Sequence, residues 1–174
     1  MTVPKGVTPW GEFDVDSYMG HWYEVARLER RFERNLTSCS ADYLRLPDGT
    51  VQVTNRGFNT DSGEWEQAKA VAKFTGDASV GALKVSFIRP FYGGYNVVYV
   101  DDAYEHAVVI GDSLDYFWIL SRSPQVSDKK YAELLDVAQR NGVDIERVVR
   151  IPHGAEFEKS LTSGGIDLET AAGI

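Results

Sequence analysis

Two short segments, Gly20-His21-Trp22-Tyr23-Glu24 and Trp118-Ile119-Leu120-Ser121-Arg122, bracket the patterned part of this chain. Trp22 carries an indole and Arg122 a guanidinium, groups that stack face to face when brought together. They can meet only if everything between them curls back on itself, and their contact then closes one end of the fold. The spacing predicts a cup.

The stretch between the two segments supports that reading. From Gly20 to about Arg122, apolar and polar residues alternate in short runs ended by turn formers, which is the rhythm of antiparallel strands. Pro47-Asp48-Gly49 separates a run ending at Leu46 from Val51-Gln52-Val53-Thr54-Asn55, and Asn59-Thr60-Asp61-Ser62-Gly63 precedes a run from Trp65 to Phe74. Gly76-Asp77 precedes Ala82 to Phe87, and Pro90 with Gly93-Gly94 precedes Tyr95 to Val100. His106 to Ile110 and Tyr116 to Leu120 complete the set. Counting the run that begins at Trp22, about eight strands follow one another through short connections, which favours an up-and-down meander over a Greek key. Closing such a meander removes both sheet edges and leaves room for one small ligand. The predicted class is all-β, an eight-stranded antiparallel up-and-down β-barrel.

One helix is expected after the barrel. Ser127 is placed as its N-cap and Asp128 on the positive end of its dipole; Tyr131, Leu134, Leu135 and Ala138 share one face, and Asn141-Gly142 ends it. A single apolar stripe lays this C-terminal helix on the outside of the barrel. Its expected partners are Phe117 and Ile119, which alternate out of phase with Tyr116, Trp118 and Leu120. Val148-Val149 suggests a last short strand. From Gly154 onward small residues and scattered charge predict a tail, 154–174, without regular structure.

Composition narrows the function. A chain of 174 residues with 43% hydrophobic and 12% aromatic residues suits one globular domain. A net charge of −8 gives no basic face for phosphates, which argues against nucleic acid as a partner. Cys39 is the single cysteine, so no internal disulfide forms. No apolar run reaches the length of about 18 residues that spans a membrane, and Met1 to Val7 lacks the apolar centre of a signal peptide. His21, His106 and His153 show no metal-ligand spacing, and neither a Gly-rich phosphate loop nor a Gly-x-Ser-x-Gly elbow is present. Neither metal, cofactor nor enzymatic activity is expected.

These segments resemble the lipocalin family. Gly20 to Glu24 resembles its first sequence block, Val100-Asp101-Asp102-Ala103-Tyr104 falls where the second lies, and Trp118 to Arg122 resembles the third. The second block reads Asp101-Asp102-Ala103 in place of Thr-Asp-Tyr. Trp22 to Arg27, Arg31-Phe32-Glu33-Arg34 and Phe91-Tyr92-Gly93-Gly94-Tyr95-Asn96-Val97 are similar to the bacterial outer-membrane lipoprotein branch, which also resembles apolipoprotein D. The resemblance implies a lipocalin domain over 1–153 that stores or transports a lysophospholipid or fatty acid at or near a membrane, in the outer membrane or periplasm. The chain as given shows neither signal peptide nor lipidation cysteine ahead of the barrel. A membrane surface and a second copy in a homodimer are the further partners considered.

Site residues follow from the two-residue strand period. Gly20, Trp22 and Arg122 are assigned to the closed end, as structure and not as ligand contacts. With Trp22 and Arg122 inward, Tyr116, Trp118 and Leu120 also face in. The resemblance places Tyr43 and Asn55 inward, which brings Ala41, Val51 and Val53 along. Ala68, Ala70, Ala72 and Phe74, then Leu83, Val85 and Phe87, are the more apolar faces of their runs, and Lys69, Lys73 and Lys84 lie opposite them. Tyr43, Asn55, Phe74, Val85, Phe87, Tyr95, Tyr116 and Trp118 form the expected ligand-contacting set. At the rim, Arg30 and Arg31 within Glu29 to Arg34 lie beside Arg89 to Tyr92 and are expected to hold a carboxylate or phosphate head; a solvated charge run is the competing reading. Cys39 shares the parity of Ala41 and Tyr43, which keeps open a lipid isomerase working through its thiol, although a buried thiol more commonly fills space. Another alternative is a scavenger of haem or peroxidised lipid in stress protection, with His106 as haem ligand.

Overall fold

A computed structural model describes residues 2–29, 35–86 and 93–153. Turn formers end the strands where the alternation stops, giving β1 (Gly20–Leu28), β2 (Leu36–Arg45), β3 (Val51–Asn59), β4 (Glu64–Phe74), β5 (Ala82–Ser86), β6 (Gly93–Val100), β7 (His106–Gly111) and β8 (Phe117–Ser121). Each pairs antiparallel with the next, and β1 pairs with both β2 and β8, so the meander closes into a barrel. This is the predicted architecture. Tyr116 is the exception at the strand ends: it precedes β8, and its carbonyl accepts the Gly111 N–H at 2.8 Å in the turn from β7.

A helix and a short strand follow the meander. The helix α2 (Asp128–Arg140) is capped as expected, with Ser127 Oγ accepting the Lys130 N–H at 3.1 Å. Leu134 and Ala138 are buried in one apolar cluster with Val108, Ile110, Phe117 and Ile119, so the helix covers the outward faces of β7 and β8. Tyr131 and Leu135 flank that contact, partly buried. After α2 the expected short strand, β9 (Val148–Arg150), pairs antiparallel with the far half of β1. The tail 154–174 lies outside the described residues.

A second cluster fills the inside, from Trp22 and Tyr43 through Val53, Ala72 and Val85 to Val109 and Leu120. Below it sits an element the alternating pattern does not announce, the one-turn helix α1 (Val15–Tyr18), with Asp14 Oδ1 accepting the Asp16 N–H at 3.2 Å and Ser17 Oγ donating to Asp14 Oδ2 at 2.6 Å. α1 is the floor of the barrel.

The predicted stack closes this end. The Arg122 guanidinium carbon lies 3.8 Å from the centre of the Trp22 ring, and Trp22 is 0% exposed. Arg122 also donates to three carbonyls, Tyr104 from Nε at 3.0 Å, His21 from Nη1 at 2.9 Å and Ser17 from Nη2 at 2.9 Å. Trp22 Nε1 donates to the Tyr18 carbonyl at 2.8 Å, which ties α1 to β1. Gly20 has φ +99° with Arg122 Nη1 3.3 Å from where a Cβ would sit, so both conformation and space call for glycine. In the loop between β6 and β7, Asp101 Oδ1 accepts the N–H groups of Glu105 at 2.7 Å and His106 at 3.1 Å, and Oδ2 accepts from His106 Nδ1 at 2.7 Å. Burial pushes the Asp101 carboxyl up, but His106 and the loop amides outweigh it and hold the group below the ordinary aspartate value.

Two expectations follow. Trp22→Ala costs about 3–5 kcal/mol, as truncation of a fully buried aromatic does, and lowers the melting temperature by on the order of 10 °C in thermal denaturation. Because its folded pKa is depressed, the stabilisation from ionised Asp101 is complete above the ordinary value of 3.8 and is lost as the pH falls through the folded value. The melting-temperature gap between wild type and Asp101→Asn therefore narrows as the pH falls below about 4.

Candidate ligand-binding site

Strand register assembles the inner wall. Tyr43 lies opposite Val53 and Val53 opposite Ala70; Val51 lies opposite Ala72 and Ala72 opposite Val85; Leu83 lies between Phe74 and Tyr95. Phe13, Val15, Tyr18 and Met19 meet this band from below and, together with Tyr43, Val51, Val53, Ala72, Leu83, Val85 and Tyr95, enclose an apolar cavity of about 20 Å³. That holds one terminal group, not a whole lipid. The floor is fuller than alternation alone suggests, because Tyr18, Tyr43 and Tyr95 extend into it from three sides. Phe74 packs at the base, 6.1 Å from the Phe13 ring, and does not line the cavity.

Higher up the wall opens. Ala41, Asn55 and Ala68 are successive register partners on the inner face; Ala41 is buried, Asn55 half-buried and Ala68 exposed. A small residue that faces the lumen and still meets solvent marks a hollow. Trp118 lies on the same inner face, half-buried, with the Tyr116 ring 6.4 Å away just before β8.

The floor carries three linked hydroxyls. Tyr95 Oη lies 2.6 Å from Tyr18 Oη and 2.7 Å from Tyr43 Oη. Burial is the first cause that pushes all three phenols above the ordinary tyrosine value, so they stay protonated at neutral pH.

Arg27 is an inward residue that simple periodicity misses. Counting by twos from Trp22 places it outside, but β1 is bulged between Glu24 and Ala26, so that Glu24 opposes Leu120 and Arg27 opposes Trp118. The trace left in the sequence is the consecutive apolar pair Val25-Ala26, both buried in the outer cluster. Arg27 is 2% exposed and donates from Nη2 to the Leu36 carbonyl at 2.8 Å and to Glu29 Oε1 at 3.1 Å, and from Nη1 to Cys39 Sγ at 3.4 Å and Glu24 Oε1 at 3.5 Å. Cys39 is buried as well, with its Sγ 3.2 Å from the point where a Cβ on Gly57 would sit. The thiol fills the space that glycine leaves.

Of the expected set, then, Tyr43, Val85 and Tyr95 meet at the cavity, while Asn55 and Trp118 stand on the wall. Phe87, Arg30, Arg31, Arg34 and 89–92 lie outside the described residues. His106 alternates with the inward Ala107 and points to the outer side, held by Asp101, so the haem alternative finds no ligand there for a group in the barrel. The pattern of strands could not reveal Phe13, Val15, Tyr18 or Met19; the local signal was Asp14 and Ser17 framing one helical turn. Among the described residues there is no group of three or more His, Cys, Asp or Glu side chains that could hold a metal ion, and no helix is long and apolar enough to cross a membrane.

The barrel has counterparts among known proteins. The family model for the lipocalin-like domain matches residues 13–153. The chain belongs to the lipocalin family. Lipocalins bind small hydrophobic ligands and are in general binding proteins. This lipocalin is 49% identical over 148 residues to the outer membrane lipoprotein Blc of Escherichia coli (strain K12), covering 85% of this chain and 84% of that protein. It is 34% identical over 171 residues to temperature-induced lipocalin-1 of Arabidopsis thaliana, covering 94% and 88%. It is 28% identical over 143 residues to mouse apolipoprotein D, covering 78% and 75%. Among solved structures, insecticyanin from the tobacco hornworm Manduca sexta superposes with a TM-score of 0.70 at 18% identity over 88% of this chain and 87% of that one, a likeness of fold.

Proposed function

We propose that this lipocalin carries a single-chain lipid, a lysophospholipid or a fatty acid, for storage or transport at or near a membrane, without covalent chemistry. The observation that carries the reading is the graded wall. Apolar residues close around a small cavity at the floor, and above them Ala68 faces the lumen and is exposed. A long tail with one polar end suits such a lumen, because its apolar part gains by leaving water while its head stays near the mouth. Arg30 and Arg31 are proposed to hold that head by charge-assisted hydrogen bonds. The four-fifths coverage of relatives named outer membrane lipoproteins supports a place in the outer membrane or periplasm.

Cys39 is not needed for this role. Its thiol lies against the Arg27 guanidinium and the Gly57 backbone, where it packs the wall between β2 and β3.

Native mass spectrometry of protein purified without delipidation is expected to show one lysophospholipid or fatty acid per chain. In displacement of a fluorescent fatty acid, Ala68→Trp narrows the lumen and weakens binding about tenfold or more, equivalent to about 1.4 kcal/mol, whereas Lys69→Trp on the opposite face leaves it unchanged. Equal affinity in both variants, or no lipid with either method, would refute the carrier.

A further inference from the structure

We infer that the floor cavity seats the terminal methyl of the ligand's tail, and that Val51 and Ala72, neighbours on its wall, set the tail length this lipocalin accepts. The inference rests on the carrier reading and deepens it, from a lipid to a tail of bounded length with an apolar end.

The polar groups at the floor already satisfy one another. The hydroxyls of Tyr18, Tyr43 and Tyr95 are linked in all three pairs, Tyr95 to Tyr18 at 2.6 Å, Tyr95 to Tyr43 at 2.7 Å, and Tyr18 to Tyr43. A closed ring of three hydroxyls places each proton on a neighbouring oxygen, and no donor is left over. No polar atom faces the cavity. A methyl group that enters it leaves water and strands no partner, whereas a hydroxyl or carboxylate is stripped of water and gains nothing in return. The tail therefore enters methyl first, and the head stays above.

The inner face of β4 leads down to this seat. Below the exposed Ala68, at two-residue steps, come Ala70 and Ala72, 5% and 3% exposed, and Ala72 lines the cavity. Along such a wall each added methylene removes apolar surface from water and tightens binding about fourfold, until the terminus reaches the cavity. A longer tail has to displace the floor, which is held from several sides. The Phe13 N–H donates to the Ser79 carbonyl at 2.8 Å, the Asp14 N–H donates to Tyr104 Oη at 2.9 Å, and the Phe13 ring packs 5.1 Å from Tyr18. Overfilling a site so fixed strains its side chains, so affinity falls again beyond one length. The cavity of about 20 Å³ takes a single group, so a change of one or two methyls on its wall decides where that length lies. Val51 and Ala72 are register partners, both 3% exposed, and exchanging them alters the seat without touching the tyrosine ring of hydroxyls or the Trp22–Arg122 stack.

The test measures affinity for the straight saturated fatty acids from decanoic to octadecanoic acid, by displacement of a fluorescent fatty acid, in wild type, Val51→Ala, Ala72→Val and the double variant. The readout is the tail length that binds most tightly, which a uniform loss of affinity does not move. Val51→Ala deepens the seat and is expected to shift that length up by about two carbons, and Ala72→Val fills it and shifts the length down by about two. The double variant exchanges the two side chains, conserves their volume and returns the optimum to the wild-type length. One substitution removes atoms and the other adds them, so either single variant that folds is decisive. An optimum unmoved by them, while the acids still bind wild type, overturns the length-setting seat and leaves the carrier standing. Failure of every acid to bind wild type overturns the two together.

Discussion

The fold depends on one contact, the guanidinium of Arg122 laid 3.8 Å above the indole of Trp22. A flat, weakly hydrated cation on a ring face needs little room, and its edge stays free to donate. Arg122 uses that edge on carbonyls of Ser17, His21 and Tyr104, and so joins α1, β1 and the β6–β7 loop at one point. Trp22 in turn holds Tyr18 by its carbonyl, and Tyr18 is a wall of the cavity. The base that stabilises the barrel thereby sets the position of the groups a ligand would meet, though neither Trp22 nor Arg122 lines the cavity.

Function draws on the difference between the two ends. At the base, aromatic rings occupy most of the cross-section, as the width of an eight-stranded barrel allows. Above the floor the inner wall carries the small, exposed Ala68, and the lumen widens because a small side chain leaves it so. Arg27, turned inward by the bulge in β1, spans the place where β1 separates from β2 and is neutralised by Glu24 and Glu29. A charge buried this deeply is tolerable only with such partners.

Much of this was legible beforehand, for identifiable reasons. Alternation in β3 to β7 and turn formers such as Pro47-Asp48-Gly49 defined the strands, because burial on one face only imposes a two-residue period. Ser127 and the stripe through Leu134 and Ala138 defined α2 in the same way, and Tyr43, Val85 and Tyr95 line the cavity. What escaped was local irregularity. One inserted residue, Val25, reversed the parity of Arg27; α1 is too short for a helical period to show; Tyr116 belongs to a turn whose geometry is set by Gly111. Alternation also orients a side chain without telling how far it reaches, so a floor closed by Tyr18 and Phe13 from a preceding segment could not be read from the strands.

The seam between β1 and β2 has a consequence for how the molecule comes into being. Where those strands part, the last described stretch fills the gap: Ile151 N–H donates to Val25 at 2.9 Å, Ser38 N–H to Pro152 at 3.2 Å, and His153 Nε2 to the carbonyl of Glu24 at 2.6 Å. β1 is thus finished by residues that lie more than 120 positions further along the chain. Until those residues emerge, a length of β1 keeps an open edge, the kind of edge on which nascent chains stick to one another. Closure of this seam therefore waits for residues 151–153, whatever the order in which the other strands pair.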